Sequence, residues 1–268
     1  MTSGPIVIKI GGTTLEDPKT SPLLWDAIAS LAKSREEGVV VVHGGGKAVD
    51  RLLERLGMTV ERKHGLRVTP PEQMDIIAGV LAGSLNKTIV GNLVTRGVRA
   101  VGLSLGDGAA VPCERKRLAD VDLGLVGEVS TKARRDGHSL LSVLVRSRFL
   151  PILSSIGIDE SGSLLNINAD DGAAGVAYHA GAAALVLMTD VPGILDEHKQ
   201  IIPEIDAAGI EALITRGVIS GGMIPKARAA AGAAKLIGAP VIILSGNDPA
   251  SLADWSRGKP TGTRVISG

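Results

Sequence analysis

Ile6-Val7-Ile8-Lys9-Ile10-Gly11-Gly12 reads as a short, continuously apolar strand, the kind found inside a parallel sheet covered on both faces. Lys9 breaks the pattern, because an ammonium in the middle of an Ile/Val run is costly unless it is paired. Gly11 and Gly12 follow at once. Without side chains they let an anion approach the backbone closely. A lysine at the mouth of a buried strand, followed by a Gly-Gly turn, is what a phosphate site needs. The same residues also fit a lysine that snorkels out of the strand end beside glycines that only turn the chain.

Outward from this strand, helix and strand signals alternate. Ser21-Pro22 forms an N-cap and first-turn pair, Leu24, Ile28 and Leu31 follow at helical spacing, and Gly38 closes that helix. Residues 39–42 are a second buried strand, and His43-Gly44-Gly45-Gly46 joins it to a helical stripe of Val49, Leu52, Leu53 and Leu56 that stops at Gly57. A strand that turns through glycines into a helix start brings free N–H groups and the positive end of the helix dipole together, which makes an anion site. His43 itself reads as a structural hydrogen-bonding residue before a catalytic base. Thr69-Pro70-Pro71-Glu72 reads as a capping box that opens a long helix marked by Met74, Ile77, Leu81, Leu85 and Ile89 and ending near Gly97. Arg67 then lies in a loop just before that helix, and its guanidinium fork suits a carboxylate. Gly79 and Gly83 would let another helix, such as one from a second subunit, approach closely.

Further strands are expected at 98–105, 150–156, 184–188, 241–244 and 264–266. Between Gly108 and Arg135 the pattern loosens into short hairpins, with Lys116, Arg117, Arg134 and Arg135 on a solvated face. Residues 139–147 look helical. Asn166, Asn168 and Asp170 then crowd together between apolar segments. Asn168 can cap the helix that ends at Gly181, but capping accounts for only one of the set. Asp190-Val191-Pro192-Gly193 turns at the C-terminal end of a strand, where open α/β sheets bind ligands. After a short stripe of Ile210, Leu213 and Ile214, Ser220-Gly221-Gly222-Met223-Ile224-Pro225-Lys226 repeats the Gly-Gly turn before a helix, again with a lysine. That helix ends near Gly238, and Asp248-Pro249 caps a last short one. The alternation gives an α/β fold with a mainly parallel sheet. No Pro-rich linker divides residues 1–268, so the expectation is one domain whose two lobes share one sheet.

Composition narrows the function classes. The 268 residues are 44% hydrophobic and 21% charged, ordinary for a globular protein. A net charge of +1 leaves no electrostatic footprint for nucleic acid or anionic membrane, and 1% aromatics leaves few platforms for stacking bases. The single cysteine, Cys113, fits a reducing cytosol and reads as packing. The N-terminus shows no signal-peptide pattern, and no stretch approaches a transmembrane length of unbroken apolar residues. A cytoplasmic location is the expectation.

No zinc-ligand spacing, Walker-type loop or dinucleotide fingerprint is present. What remains is two lysines beside Gly-Gly turns, a triple-glycine turn, an arginine and an Asn/Asp cluster. Phosphoryl transfer fits these parts, since its catalysis is mostly positioning and charge stabilisation. A carboxylate acceptor, with a pKa of about 4.3, would already be ionised at neutral pH and would need no general base.

Lys9-Ile10-Gly11-Gly12, His43-Gly44-Gly45-Gly46, Gly65-Leu66-Arg67-Val68-Thr69, Asn166-Ile167-Asn168-Ala169-Asp170, Asp190-Val191-Pro192-Gly193 and Gly222-Met223-Ile224-Pro225-Lys226 together resemble the amino acid kinase family, in order over essentially the whole chain. The Gly-Leu-Arg-Val-Thr and Asn-x-Asn-Ala-Asp pieces point to its acetylglutamate branch. The resemblance implies a three-layer αβα sandwich and ATP-dependent phosphorylation of the side-chain carboxylate of N-acetyl-L-glutamate, a step of arginine biosynthesis. It implies that Lys9 and Lys226 stabilise the transferring phosphoryl group and that Asp170 holds both lysines. Gly11, Gly12 and Gly45 would offer N–H groups to the phosphates. Gly45, Gly46, Arg67 and Asn166 would bind the amino acid in an N-terminal lobe of about 1–180. Asp190, Val191, Pro192, Gly193, Ile194 and Leu195, with Val218, Ile219 and Ser220, would line an ATP site in a C-terminal lobe of about 181–268. Magnesium would arrive on the nucleotide, with no protein metal ligand. Arginine-inhibited members carry an extra N-terminal helix, for which the strand starting at Ile6 leaves no room. The expectation is a homodimer insensitive to arginine. A sister kinase acting on carrier-protein-bound aminoadipate or glutamate, or a non-catalytic sensor of this fold, are the alternatives. Arg62, Lys63 and His64 keep the carrier-protein substrate open.

Overall fold

The computed structural model describes residues 4–16, 21–132, 139–248 and 250–268. Eight strands form the central sheet. Their spatial order is Glu204–Asp206, Thr263–Ile266, Val241–Ser245, Ala184–Thr189, Ile6–Ile10, Val39–His43, Leu150–Ser154 and Ala100–Ser104. All neighbours pair in parallel except Val241–Ser245 with Thr263–Ile266, so the first two strands in that order run opposite to the other six. Ile6–Ile10 lies in the interior of the sheet, as its uninterrupted apolar sequence requires.

Strand alternation sorts the core into two layers. Ile6, Ile8, Ile10, Val39 and Val41 pack on one face, against Leu24 and Ile28 of helix Ser21–Ser34, Ile89 and Leu93 of helix Asn86–Val94, and Leu252. Val7, Val40 and Val42 pack on the other, against Val176 and Ala177 of helix Ala169–Ala180 and Ala230 and Ala234 of helix Met223–Ile237. The result is the αβα sandwich. Lys9 shares the face of Val7 and His43 that of Val41, which decides what each can meet. Over residues 113–167 a second, four-stranded sheet forms in the order Cys113–Arg115, Val126–Val129, Leu164–Ile167, Ile156–Ile158. It covers the hairpin region foreseen after Gly108.

Several local expectations change. Thr69 does not cap the long helix. That helix starts at Pro71 with Pro70 at the N-cap, and Thr69 Oγ1 instead donates to the Arg67 carbonyl at 3.0 Å. Arg67 is not in a loop. It sits on strand Leu66–Arg67, paired with Arg62–Lys63 across a turn in which His64 and Gly65 both have positive φ. The long helix, Pro71–Val94, is long and apolar enough to cross a bilayer by length and composition, but its Met74, Ile77, Leu81, Ile89 and Leu93 are buried core residues. Its middle, Gly79–Leu85, is a π-helix. Strand Glu204–Asp206 had no expectation. Helix Ser251–Ser256 starts with Ala250 at its N-cap, and Asp248 accepts from the Ala250 N–H at 3.0 Å. Pro249, Arg134, Arg135 and the Ser21 side chain lie outside the described residues.

Thr69 is also tied through its backbone to the loop between strands Cys113–Arg115 and Val126–Val129 of the second sheet. Its N–H donates to the Leu123 carbonyl at 3.0 Å, and its carbonyl accepts from the Leu125 N–H at 2.6 Å. Between them Gly124 has φ +67°, and a Cβ there would stand 2.2 Å from the Thr69 carbonyl oxygen. Gly124→Ala is therefore expected to cost about 1 kcal/mol of left-handed strain plus about 1–3 kcal/mol of overpacking. Gly162→Ala, at φ +84° with nothing within 4 Å, should show only the strain of about 1 kcal/mol. Urea unfolding of the two variants side by side checks the difference, and equal losses would contradict it.

Candidate active site

Six parallel strands end along one edge of the sheet, and the turns after Ile10, His43 and Thr189 meet there. Lys9 projects from its strand toward helix Ala169–Ala180, and is only 9% exposed. The helix start is fixed by Asn168, whose side-chain oxygen accepts from the Asp170 and Asp171 N–H groups at 2.8 and 3.3 Å. This puts Asp170 in the first turn, where its carboxylate meets Lys9 Nζ at 2.8 Å. The ammonium that the strand could not carry alone is thus paired. Lys226 arrives from the opposite side. Helix Met223–Ile237 starts at Gly222, takes Pro225 in its first turn and presents Lys226 to Asp190, with which it forms an ion pair. That hydrogen bond, with a smaller push from the charge of Lys9, holds the Asp190 carboxyl below the usual carboxylate range. Asp170 therefore pairs with Lys9, and Asp190, not Asp170, holds Lys226.

Lys9, Gly11, Gly12, Gly46, Asp170, Asp190, Val191 and Lys226 line one cleft of about 700 Å³. Pro192, Gly193, Ile194, Leu195, Val218, Ile219 and Ser220 do not line it. Ile194 is a core residue whose N–H donates to Thr263 Oγ1 at 2.8 Å, and Ile219 is buried too. A Cβ placed on Gly12 would stand 3.5 Å from the Gly45 Cα, so the two glycine turns pack backbone on backbone. At Gly45 a Cβ would run into the Leu85 and Leu81 methyls at 2.4 and 2.8 Å, so a larger residue there would have to displace both leucines.

A second pocket of about 150 Å³ adjoins the cleft, and Gly46 and Arg62 line both. Gly45, Arg67 and Asn166 form its polar side; Val49, Ile77, Leu81 and Val126 form an apolar end. The Arg67 guanidinium is 7% exposed. Its Nη2 is occupied, lying 2.9 Å from the Gly46 carbonyl and 2.8 Å from Asp50 Oδ1. Its Nη1 is buried without any hydrogen-bond partner. Burial pulls the Arg67 pKa down, and the neighbouring Asp50 opposes this. Leaving a buried donor unmet costs about 1–3 kcal/mol, so the geometry is set for an anionic oxygen to complete it. Asn166 Nδ2 donates to Thr69 Oγ1 at 2.9 Å, joining the polar side of the pocket to the Thr69 backbone bridge.

His43 is fully buried. Burial pushes its imidazole down to about 4, so the ring is neutral at physiological pH. It is a hydrogen-bonding residue, as its sequence context suggested.

Sequence reasoning missed Asp50, which bonds Arg62 at 2.7 Å as well as pairing with Arg67. It gave no local signal, because only tertiary folding brings these segments together. It also missed Lys47, Lys116 and Glu128 on the cleft wall, the last two paired at 3.0 Å. Asn86 was missed despite a usable signal. It falls three residues before Ile89 and seven before Leu93, on the helix's core stripe, and a polar residue there needs a partner.

The sequence pattern of the amino acid kinase family matches residues 4–245. Among solved structures, smu.665 from Streptococcus mutans UA159 is 30% identical over 98% of each chain, with a TM-score of 0.77. N-acetylglutamate synthase from Neisseria gonorrhoeae, complexed with coenzyme A and N-acetyl-glutamate, is 23% identical with a TM-score of 0.83, and this chain spans 60% of its length. Carbamate kinase from Giardia lamblia bound to AMP-PNP is 18% identical over the whole of both chains, with a TM-score of 0.66.

Because His43 is held neutral in the folded protein, unfolding takes up a proton at acid pH. Stability is complete above the ordinary histidine value of about 6.5 and falls as pH drops toward 4. The loss attributable to this residue should reach about 3 kcal/mol at the lower end. His43→Asn should flatten the acid limb of a stability–pH curve measured by urea unfolding; an unchanged limb would contradict the buried neutral ring.

Proposed function

The chain belongs to the amino acid kinase family, and we propose that it transfers the γ-phosphoryl group of ATP to the side-chain carboxylate of N-acetyl-L-glutamate. The observation that carries the substrate reading is the unpartnered Nη1 of buried Arg67 in a pocket of about 150 Å³. An α-carboxylate would complete it, with Asn166 beside it. None of the residues lining that pocket is acidic, so a free α-ammonium would find no counter-charge, whereas an acylated nitrogen needs none. The apolar end at Val49, Ile77 and Leu81 suits the acyl methyl group. Other proteins of this fold accept such ligands: the gonococcal synthase was captured with N-acetyl-glutamate, and the Giardia carbamate kinase with AMP-PNP, an ATP analogue.

In this reading the acid lies in the small pocket, with its distal carboxylate toward the cleft. The nucleotide lies along Asp190, Val191 and Met223. A carboxylate oxygen attacks the γ-phosphorus, the bond from that phosphorus to the bridging oxygen breaks, and ADP leaves with the electron pair. No proton moves, since the acceptor is already ionised. Lys9 and Lys226 face the charge that spreads over the transferring group, and backbone N–H groups at Gly11 and Gly12 add to them, with Gly45, on the small-pocket side, at the acceptor carboxylate. Asp170 and Asp190 hold the lysines until the phosphates replace part of that pairing. Magnesium is assigned to the ATP phosphates. Of Arg62, Lys63 and His64, which would favour a carrier-protein substrate, Arg62 pairs with Asp50 and Lys63 with Glu61. A Cβ placed on Gly79 or Gly83 would meet nothing within 4 Å, and we assign that open helix face to the partner of a homodimer.

ATP turnover offered N-acetylglutamate, glutamate, aspartate and bicarbonate–ammonia in parallel, with hydroxylamine to trap the acyl phosphate, tests the substrate. Hydroxamate is expected with N-acetylglutamate alone; hydroxamate only with a free amino acid would remove the acylated-nitrogen reading. Lys9→Ala and Lys226→Ala should each lower kcat by about 100-fold or more while KM changes far less. Unchanged kcat in both would discard the lysine pair. Arg67→Ala should raise KM for the acid about 10-fold or more and leave KM for ATP unaltered, and a selective rise for ATP would mean the two pockets are assigned the wrong way round.

A further inference from the structure

His43 and Asn86 are both fully buried, come from segments far apart in sequence, and take no part in the reaction proposed above. Their hydrogen bonds nevertheless end at the triple-glycine turn. Asn86 Nδ2 lies 2.9 Å from the Ile152 carbonyl and 3.4 Å from the Leu103 carbonyl, which fixes the amide with its NH₂ toward these acceptors. The same NH₂ stands 3.1 Å from His43 Nε2, so that ring nitrogen must accept. The neutral ring then carries its proton on Nδ1, which donates to the Gly44 carbonyl at 2.9 Å. A trans peptide is planar, with its C=O and N–H on opposite sides. Holding the Gly44 carbonyl against a buried ring therefore turns the Gly45 N–H away from that ring, and Gly45 lines the small pocket. Leu81 and Leu85, from the π-helical segment that directly precedes Asn86, close on Gly45, where a Cβ would stand 2.8 and 2.4 Å from them.

We propose that His43 and Asn86 are positioning residues: Asn86 sets the imidazole tautomer, His43 fixes the Gly44–Gly45 peptide, and the Gly45 N–H is thereby aimed at the bound anion. This deepens the kinase reading and rests on it for the identity of that anion. The catalytic contact is the Gly45 N–H; neither His43 nor Asn86 touches substrate. The buried relay also explains why a histidine precedes the glycines, a position that strand packing alone would fill with a valine like its neighbours.

The test compares His43→Asn with His43→Gln. The asparagine amide can take the place of Nδ1 and still donate to the Gly44 carbonyl, whereas the glutamine amide reaches toward Asn86 and leaves that carbonyl free. His43→Asn is expected to keep kcat within about 5-fold of wild type, and His43→Gln to lower it about 50-fold or more, with KM for ATP within about 3-fold in both. Melting temperatures are measured alongside. If the two variants lose activity equally, or in step with their melting temperatures, the positioning role is overturned. If the wild type phosphorylates none of the acids offered, it is the kinase reading that fails, and the relay is then judged without substrate. In ¹⁵N-labelled protein the Gly45 amide resonance should stay in place in His43→Asn and move in His43→Gln, and the wild-type ring should show a protonated Nδ1 and a bare Nε2. An unmoved Gly45 resonance in both variants, or a proton on Nε2, overturns the proposal.

Discussion

An ammonium in the middle of a buried strand cannot stand alone, and the rest of the site follows from where its partner comes from. Lys9 occupies a strand whose other residues are apolar and which is flanked by strands on both sides. Alternation turns it to the face covered by helix Ala169–Ala180, and the cap at Asn168 puts Asp170 at the start of that helix. The Lys9–Asp170 pair therefore ties the sheet edge to the helix start. A full counter-charge would leave Lys9 with nothing to offer a ligand. Asp170 is half exposed at 48%, however, so the pair is closed on the protein side and open on the cleft side.

The same edge separates two kinds of recognition. In the cleft, Lys9 and Lys226 are paired with carboxylates that are themselves about half exposed, an arrangement suited to a group whose charge changes during reaction. In the small pocket, Arg67 is buried and held by Asp50 and the Gly46 carbonyl, with one nitrogen left over. Such a rigid guanidinium suits a carboxylate that binds and does not react. Between the two lie the stacked glycine turns, where backbone N–H groups can serve both.

Much of this was legible in the sequence because it is local. Lys9 inside an apolar strand, glycines after the strands at Ile10 and His43, and Asn168 ahead of a helix each carry their own physical signal, and these readings place the sheet edge correctly. Long-range pairing was not legible. Nothing near Lys226 distinguishes Asp190 from Asp170 as its partner, and the resemblance-based assignment to Asp170 differs from the pairing that forms. Thr69 followed by two prolines looks like a cap, yet its hydroxyl is drawn to the Arg67 carbonyl and to Asn166, nearly a hundred residues away. The hairpin that carries Arg67 was hidden because its strands are two residues each, too short for any periodicity. Asn86 broke the apolar stripe of its helix in plain sight, and that break marked a tertiary hydrogen-bond network.

The account depends on both lysines meeting one phosphoryl group while Arg67 holds the acid. A crystal structure with magnesium, ADP, aluminium fluoride and N-acetylglutamate tests this most directly. The prediction is that Lys9 Nζ and Lys226 Nζ both lie about 3 Å from the fluoride, with Lys226 released from Asp190 and the α-carboxylate on Arg67 Nη1. Lys226 still paired with Asp190, or the acid bound away from Arg67, would contradict it.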